Sequence, residues 1–341
     1  MFPASRPVRD RPALSRRGLL AGALGLTAAG LTGCSTSGSA DPAVSGKPTA
    51  GFPATVPGKL GKTTVTAAPK RVVAAGYLRD TDLALALGAP LVGVARNVAL
   101  PGGIAPWQHL KGSPTLFDAT DGVPAEKVAA LRPDLILASD DYTLAKDYAK
   151  LSGIAPTLGY ATAPGQDDWT EMTRRAGTVL GRRKQADALV AKVKGQVANA
   201  RKKLAGAAGK TFAFGPVSSP SELYVINSAK DASAVFLSQL GLTISPKVTQ
   251  LPTGDTPQRA SVSPERLDVL DADVLILTYL KPDVRQKVEA NPLFRRLDVV
   301  RRGAYIALDM TTAIAIGFPS ALSIPYGLNA VTPKLAKALS D

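Results

Sequence analysis

The stretch DWTEMTRRAGTVLGRRKQADALVAKVKGQVANARKKL, residues 168–204, decides how this chain is organised. Its apolar side chains recur every three or four residues: Trp169, Met172, Ala176, Val179, Leu180, Leu189, Val190, Val193, Val197, Ala200 and Leu204. This spacing predicts an amphipathic helix with one buried stripe. Gly181 should divide it into a short helix and a longer one, because glycine is the usual residue just past a helix end. The longer part, from residue 183, would be about 33 Å long.

The sequence on either side of this segment repeats. Before it stands VPAEKVAALRPDLILA (residues 123–138), and after it stands VSPERLDVLDADVLIL (residues 262–277). Glu, Leu and Asp occupy the same offsets in both copies, and each copy predicts a short helix followed by an apolar strand. We therefore predict two similar α/β lobes that are joined by one helical segment, with a cleft between them.

The rest of the chain extends the alternation of strands and helices. In the first lobe we predict strands at 70–75, 91–95, 135–138 and 154–158, helices at 80–87, 124–131 and 144–151, and a loop at 100–120. In the second lobe we predict strands at 211–214, 223–226, 274–278 and 305–308, helices at 232–240, 264–270 and 283–289, and a helix at 319–339 that breaks near Pro333. This alternation is typical of mainly parallel, Rossmann-like sheets with helices on their faces.

The first 61 residues predict export and anchoring. Arg16 and Arg17 precede an apolar run of about 13 residues, which suits the core of a signal peptide and is too short to span a bilayer. The arginine pair resembles a twin-arginine signal, and LTGC (residues 31–34) resembles a bacterial lipobox. We expect cleavage before Cys34 and lipid attachment to its thiol, which would hold the protein on the outer face of the cytoplasmic membrane. Residues 35–61 are rich in Ser, Gly, Pro, Thr and Ala and predict a flexible tether.

Composition limits the possible partners. The formal net charge is +14, and residues 1–33 hold five arginines and one aspartate, so about +10 remains after cleavage. A basic surface could favour anionic ligands, anionic lipid or nucleic acid, but no nucleic-acid-binding motif is present. With one cysteine and one histidine, the chain can form neither an intrachain disulfide nor a histidine-rich metal site. We expect a monomer without a cofactor.

Several fragments together resemble one family. They are PKRVV (69–73), LALALGAPLVGV (83–94), EKVAALRPDLIL (126–137), IAPT (154–157), SPERL (263–267), DADVLIL (271–277), NPLF (291–294) and SALSIPY (320–326). In this order they resemble the iron–siderophore substrate-binding proteins of ABC importers, over about residues 62–340. The resemblance implies an N-terminal lobe at 62–166, a linking helical segment at 167–205 and a C-terminal lobe at 206–341. It also implies a small hinge motion and a ferric siderophore held between the lobes.

Two glutamates carry over from this resemblance. Glu126 and Glu265 match the residues that, in this family, seat the loaded protein on arginines of the ABC permease dimer, one from each lobe. Charge pairs of this kind set docking orientation and encounter rate more than affinity. Glu126 stands two residues after Pro124, and Glu265 stands directly after Pro264. Each glutamate is therefore predicted in the first turn of a helix, where a negative charge favours the helix dipole. The two roles are compatible.

The ligand-binding candidates are side chains at strand ends that face the cleft, because open α/β sheets bind ligands beyond the carboxyl ends of their strands. Aromatic faces suit an apolar chelate, and arginine suits anionic oxygens. The candidates are Tyr77, Arg79, Arg96, Trp107, Tyr142, Tyr160, Tyr224, Arg259, Tyr279 and Met310, of which Arg79, Arg96, Trp107 and Tyr279 are preferred. We expect the iron's own ligands to come from the siderophore, since ferric iron prefers oxygen donors.

Other functions remain open at this point. Haem or cobalamin binding occurs on the same fold, although the single histidine weakens a haem site. Direct zinc or manganese binding is disfavoured because it needs a histidine-rich cleft. An enzyme is disfavoured, since we find no nucleophile elbow, glycine-rich phosphate loop or Ser–His–Asp set. A surface lipoprotein that binds a protein partner or cell-wall material is the third class.

Overall fold

The computed structural model describes residues 51–340. The twin-arginine motif, the lipobox with Cys34 and most of the predicted tether lie outside this range. The strands are β1 (Ala54–Val56), β2 (Thr63–Val65), β3 (Val72–Ala74), β4 (Leu91–Arg96), β5 (Thr115–Asp118), β6 (Leu135–Leu137), β7 (Thr157–Leu158), β8 (Thr211–Ser219), β9 (Glu222–Ile226), β10 (Thr243–Ile244), β11 (Arg259–Val262), β12 (Val274–Tyr279) and β13 (Tyr305–Leu308).

The α-helices are α1 (Arg79–Ala86), α2 (Ala125–Ala130), α3 (Leu144–Ile154), α4 (Trp169–Val179), α5 (Arg183–Lys203), α6 (Ala232–Gln239), α7 (Pro246–Thr249), α8 (Pro282–Ala290), α9 (Pro292–Arg296), α10 (Asp298–Arg301), α11 (Met310–Gly317) and α12 (Ser323–Ala338). Short 3₁₀ helices occupy Pro101–Gly103, Ala205–Ala207 and Leu267–Leu270.

The first lobe contains a five-stranded sheet in the order β5-β4-β3-β6-β7, with every pair parallel. Strands β3 and β6 are buried along their whole length, as expected for a parallel sheet covered on both faces. Counted along the chain, the strands follow the Rossmann order 3-2-1-4-5. The strand order therefore reverses between β3 and β6, which is the place where open α/β sheets bind ligands.

The second lobe contains a six-stranded sheet. Parallel pairs join β8 with β10, β8 with β12, and β12 with β13. The outer half of β8 turns into an antiparallel ribbon with β9, and β9 pairs in turn with β11. The strand order reverses between β8 and β12, so the second lobe has a reversal point of the same kind as the first.

The linking segment is helical where the sequence predicts it. Helix α4 begins at Asp168, whose side chain accepts hydrogen bonds from the backbone N–H groups of Thr170 and Glu171. Gly181 separates α4 from α5 and has a φ of +67°, a conformation that glycine adopts readily. The buried residues of α4 pack mainly on the first lobe, whereas those of α5 pack mainly on the second. The predicted helix pair and its break are confirmed.

The two aspartates of the repeat, Asp134 and Asp273, accept equivalent hydrogen bonds in the two lobes. Asp134 accepts hydrogen bonds from the backbone N–H groups of Lys70 and Arg71, at 2.7 and 2.8 Å, just before β3. Asp273 accepts from the backbone N–H of Thr211, the first residue of β8, at 2.7 Å. Asp134 therefore joins the start of β6 to the start of β3, and Asp273 joins the start of β12 to the start of β8.

The lobes contact each other through one apolar cluster, which we call the interlobe cluster. From the first lobe it contains Leu78, Leu100, Ala105 and Trp107, from α11 it contains Ile314 and Ala315, and Tyr77, Met310, Phe318, Leu322 and Tyr326 pack around it. Burial of this much apolar surface stabilises one relative placement of the lobes. It also limits how far the lobes can separate without exposing apolar side chains.

Several predicted elements are wrong in detail. The loop predicted at 100–120 contains β5, and the helix predicted at 264–270 is a turn followed by a 3₁₀ helix at Leu267–Leu270. The strand predicted at 154–158 shortens to two residues because α3 continues to Ile154. Helix α12 passes through Pro333 without a break. The predicted tether, which ends at residue 61, overlaps β1.

In the part of the chain that the structure describes, no helix has the length and apolar character needed to span a membrane.

Candidate functional site

The site forms at the reversal point between β3 and β6, where the two following loops bind each other. Asp140, after β6, accepts hydrogen bonds from the backbone N–H groups of Leu78 and Arg79 at 3.0 and 2.9 Å. In return, Asp80 accepts from the backbone N–H groups of Ser139 and Asp140 at 3.1 and 2.9 Å. This exchange of hydrogen bonds fixes both loops without any ligand.

Arg79 neutralises this buried network. Its guanidinium forms an ion pair with Asp140 at 2.6 Å and donates to the carbonyl of Asp167 at 3.3 Å. Although burial opposes it, the charge of Asp140 raises the pKa of Arg79. Burial and the nearby charge of Asp140 raise the pKa of Asp80 to about 8. Arg79 is only 4% exposed, so in this structure its donors face the protein and not the cleft.

Two tyrosines of the same loops stand above this network. The rings of Tyr77 and Tyr142 contact edge to face, with centroids 6.3 Å apart. Tyr142 is 51% exposed, whereas its hydroxyl lies over Gly165, where an added Cβ would be 2.7 Å away. Loss of hydration raises the pKa of Tyr142 to about 12, with a further contribution from the charge of Asp140. Its hydroxyl therefore stays protonated at neutral pH and can donate a hydrogen bond.

The second lobe reaches the same place from the other side. Phe318, just after α11, packs against Tyr77 with a centroid distance of 4.8 Å. Asp231, which caps α6, is close enough that its charge adds to the raised pKa of Tyr142. The structure thus brings Tyr77 and Tyr142 together with residues of the second lobe. Sequence reasoning missed both residues: Phe318 follows a helix, and Asp231 follows a predicted strand but is neither aromatic nor basic.

Arg96 is an exposed arginine at the carboxyl end of β4, in the first lobe's sheet. Its guanidinium lies 2.9 Å from the carboxylate of Asp118, its register partner on β5. The hydrogen bonds from Thr120 and Arg96 hold the pKa of Asp118 well below its usual range. Since the Arg96 side chain is half exposed, it retains donors that a ligand can reach.

Trp107 is buried between the lobes, at 8% exposure. Its ring packs on Tyr326 with centroids 4.8 Å apart, and its Nε1 donates to Asp82 at 3.1 Å. Asp82 also accepts from Gln108 at 2.6 Å and from the hydroxyl of Ser320, which precedes α12. Burial raises the pKa of Asp82 to about 7, against the opposing effect of these hydrogen bonds. Trp107 thus lies at the lobe contact, where lobe movement would change its surroundings.

Tyr279 ends β12, but its side chain runs back along the sheet. Its hydroxyl is 2.7 Å from that of Tyr305, and Tyr305 pairs in register with Leu275, four residues before Tyr279. Tyr305 also donates to Glu289 at 3.0 Å. Burial raises the pKa of Tyr279 to about 12. The structure therefore places this preferred candidate in the core of the second lobe.

The remaining candidates are scattered. Arg259 is partly buried at the start of β11, opposite Ile226, close to the loop that leads to Asp231. Tyr160 is buried in the first lobe, and Tyr224 is partly buried within β9. Met310 packs at the interlobe cluster. Of these four, Met310 packs around the same cluster as Tyr77 and Phe318.

Two exposed apolar side chains at strand ends were not among the candidates. Val98 follows β4 and is 58% exposed, and Leu280 follows β12 and is 60% exposed. Single exposed apolar side chains are common on protein surfaces, so only their position at strand ends links these two residues to the site. Both positions can be read from the sequence, because each closely follows an apolar strand.

Glu126 and Glu265 are both exposed. Glu126 lies in the first turn of α2, whereas Glu265 lies in the turn before the 3₁₀ helix at Leu267–Leu270. The dipole argument therefore applies to Glu126 and not to Glu265. Within residues 51–340, neither carboxylate takes part in an ion pair.

Among the described residues, no group of three or more His, Cys, Asp or Glu side chains could hold a metal ion. The site instead offers aromatic rings, tyrosine hydroxyls and one exposed arginine. This chemistry suits an organic ligand with apolar faces and anionic oxygens.

Two α/β lobes that are joined by one helical segment, with strand-end side chains of the first lobe meeting α11 and the residues after it in the second, define a two-lobe binding protein. Residues 73–311 match the family model described as periplasmic binding protein. The match covers more than half of the chain, and the chain therefore belongs to this family.

The relatives in this family are similar over most of their length. The iron(3+)-hydroxamate-binding protein YxeB of Bacillus subtilis is 28% identical over 258 residues, which cover 71% of this chain and 73% of that protein. A periplasmic solute binding protein from Mycobacterium smegmatis has a TM-score of 0.73 and 28% identity, covering 84% of this chain and 98% of that chain. PiaA of Streptococcus pneumoniae, solved with ferrichrome, has a TM-score of 0.69 and 26% identity over the same shares.

Proposed function

We propose that this protein captures a ferric siderophore outside the cytoplasm and delivers it to an ABC permease, without catalysing a reaction of its own. Membership of the periplasmic binding protein family is the observation that carries this proposal. The position of Tyr77 and Tyr142 at the strand reversal point supports it, since this is where open α/β sheets bind ligands.

Hydroxamates are the siderophore class that we propose. One relative is named as a hydroxamate-binding protein, and PiaA was solved with ferrichrome. The iron would keep the chelator's oxygens as ligands. The rings of Tyr77 and Tyr142 would pack on apolar parts of the chelate, the Tyr142 hydroxyl would donate to an oxygen, and Arg96 would add charge-assisted hydrogen bonds.

We infer that delivery uses a lipid anchor and a docking surface. We propose that Cys34 is lipidated and holds the protein at the outer face of the membrane, and that the protein acts as a monomer. Glu126 and Glu265 would then seat one lobe each on the permease. Their exposure supports this role, because an exposed carboxylate can be reached by a partner charge and can steer the encounter.

Calorimetric titration of the chain from Ser35 to Asp341 with ferrichrome tests the proposal. We expect saturable binding that Tyr142→Ala weakens by about tenfold or more, since a hydrogen bond and a stacking surface are lost together. Tyr148→Ala removes a partly buried tyrosine from α3 and serves as the control, with affinity unchanged. Thermal melting of both variants checks that they fold. Absence of binding by the unchanged protein would rule out the proposed ligand class.

A further inference from the structure

Helix α5 presents a strongly basic face. Its seven exposed basic residues are Arg183, Lys184, Lys192, Lys194, Arg201, Lys202 and Lys203. Its single acidic residue, Asp187, is already 2.9 Å from Arg174 of α4. The buried stripe of the helix faces the second lobe, so the basic residues face solvent along a length of about 31 Å.

The spacing of five of these residues keeps their charge on one surface, whereas Lys192 and Lys203 lie further round the helix. Arg183, Lys194 and Arg201 are separated by 11 and 7 residues, close to three and two full turns, so they form a single row. Lys184 and Lys202 form a second row, five turns apart. Between the rows stand the small side chains Ala191 and Ala198 and the carboxylate of Asp187, which is paired with Arg174. The face therefore offers charge without large apolar side chains.

The chain enters the described structure beside the amino end of this face. Phe52 packs on Gly181, where an added Cβ would be 2.6 Å from the ring. A surface depression there is lined by residues 51–53, Thr178 and residues 181–185, including Arg182, Arg183 and Lys184. Of the described residues that line it, none is acidic.

This entry point also follows the proposed anchor by a short stretch of chain. Residues 35–50 separate Cys34 from Gly51, and 16 residues span at most about 60 Å even when fully extended. A lipid on Cys34 would therefore keep the amino end of α5 within that distance of the bilayer. Basic side chains that come within about 10 Å of an anionic surface are attracted to its headgroups.

We propose that the basic face of α5 is a membrane-contact surface that binds anionic lipid headgroups when the protein is not docked on its permease. The location of the surface near the bilayer depends on the proposed lipid anchor, but the contact itself is independent of siderophore binding. Because the face lacks large apolar side chains, the contact would be electrostatic and would involve no insertion into the acyl chains.

Co-sedimentation with vesicles tests this surface. The unlipidated chain from Ser35 to Asp341 is mixed with vesicles of roughly three parts phosphatidylcholine to one part phosphatidylglycerol, or of phosphatidylcholine alone. We expect binding only to the anionic vesicles, with loss of binding at about 0.5 M salt because charges are then screened. The triple variant Arg183→Gln, Lys184→Gln, Lys194→Gln should bind at least about tenfold more weakly.

The matched control removes the same charge elsewhere. Lys146→Gln, Lys150→Gln, Lys247→Gln changes exposed residues of α3 and α7 and should reduce binding about twofold or less. An equal loss in both triples would show that only net charge matters and would overturn the proposal. So would failure of the unchanged protein to bind anionic vesicles, or binding to soluble polyphosphate without binding to vesicles. Ferrichrome titration of the same samples reports separately on the proposed function.

Discussion

At the scale of single residues, the hydrogen bonds of the two repeated aspartates can be tested by substitution. Asp273→Ala removes the acceptor for the Thr211 backbone N–H and hydroxyl, so we expect a loss of about 1–3 kcal/mol in the free energy of unfolding. Asp134→Ala should cost a similar amount, because two backbone N–H groups lose their acceptor. Denaturant unfolding measures both.

Asp283 supplies the control for these variants. It is an exposed residue whose carboxylate lies 3.8 Å from Lys287, and Asp283→Ala should change stability by less than about 0.5 kcal/mol. If Asp273→Ala were no more harmful than Asp283→Ala, the proposed role of the repeated aspartates would be wrong.

Asp82 predicts a pH dependence of stability. Its pKa is about 7 in the folded protein, above the ordinary value near 4, so the folded state binds its proton more tightly than the unfolded state does. The resulting contribution is fully present below about pH 4 and is lost as the pH rises through about 7. Asp82→Asn removes this titration. We therefore expect the stability of the unchanged protein, relative to that of the variant, to fall by a few kcal/mol between about pH 4 and 8.

Chemical denaturation across this pH range, on both proteins, measures the difference. A difference in stability that stays constant with pH would contradict the raised pKa of Asp82.

The sequence could predict which residues stand at strand ends, but not where their side chains point. Tyr77 and Tyr142 lie at the site, as their positions after β3 and β6 indicated. Arg79 and Tyr279 stand at equivalent positions, yet distant partners, Asp140 and Tyr305, draw their side chains inward. Such pairings join residues that are far apart in the chain, and no local sequence pattern predicts them.

At the scale of elements, the junction between α4 and α5 gives a matched pair of glycine variants. Gly181→Ala forces alanine into a φ of +67° and against the Phe52 ring, so we expect a loss of about 1–2 kcal/mol. Gly195→Ala, inside α5 with no atom within 4 Å of the added Cβ, should instead stabilise by about 0.5–1 kcal/mol.

Thermal unfolding of the two variants measures the change in stability of each, and the two changes should have opposite signs. A stabilising effect of Gly181→Ala would mean that this glycine is not needed for the junction.

Elements with a strong period were predictable, and short edge elements were not. Helices α4 and α5 and the buried strands β6 and β12 lie where their patterns placed them. Strand β5 was missed because it has only four residues, of which Phe117 alone is buried, inside a loop rich in Gly and Pro. Helix α12 continues through Pro333 because packing against α5 and the second lobe outweighs the local cost of proline.

At the scale of the whole molecule, Glu126 and Glu265 predict that docking and ligand binding can be separated. We expect the double variant Glu126→Ala, Glu265→Ala to abolish siderophore-dependent iron uptake in cells, because each lobe loses a charge that meets the permease. Ferric siderophore affinity of the soluble variant should be unchanged, since both residues are exposed and lie outside the tyrosine site.

Radiolabelled iron uptake and calorimetric titration, on the same variant, measure the two effects. Exposed Asp121 and Glu222 provide a charge-matched double control, Asp121→Ala, Glu222→Ala, which should transport normally. Lost affinity in the glutamate variant would contradict the assignment to docking.

The repeat in the sequence was enough to predict two lobes, but not how they meet. The interlobe cluster combines loop residues such as Leu100 and Trp107 with Ile314 and Phe318, about 200 positions later in the chain. None of these residues follows a period that identifies an interface. The contact is a property of the assembled fold, and only the structure reveals that Asp82 and Ser320 join the lobes at its edge.

The central claim is that a ferric hydroxamate binds between the lobes, and tryptophan fluorescence tests it most directly. Trp107 and Trp169 are the only tryptophans, and Trp107 lies at the interlobe contact. We would titrate the chain from Ser35 to Asp341 with hydroxamate, catecholate and carboxylate siderophores, each with and without iron. We predict a saturable change with the ferric hydroxamate alone, at a midpoint below about 1 µM. No change with any ferric siderophore, combined with a change on adding haemin or cobalamin, would contradict the claim.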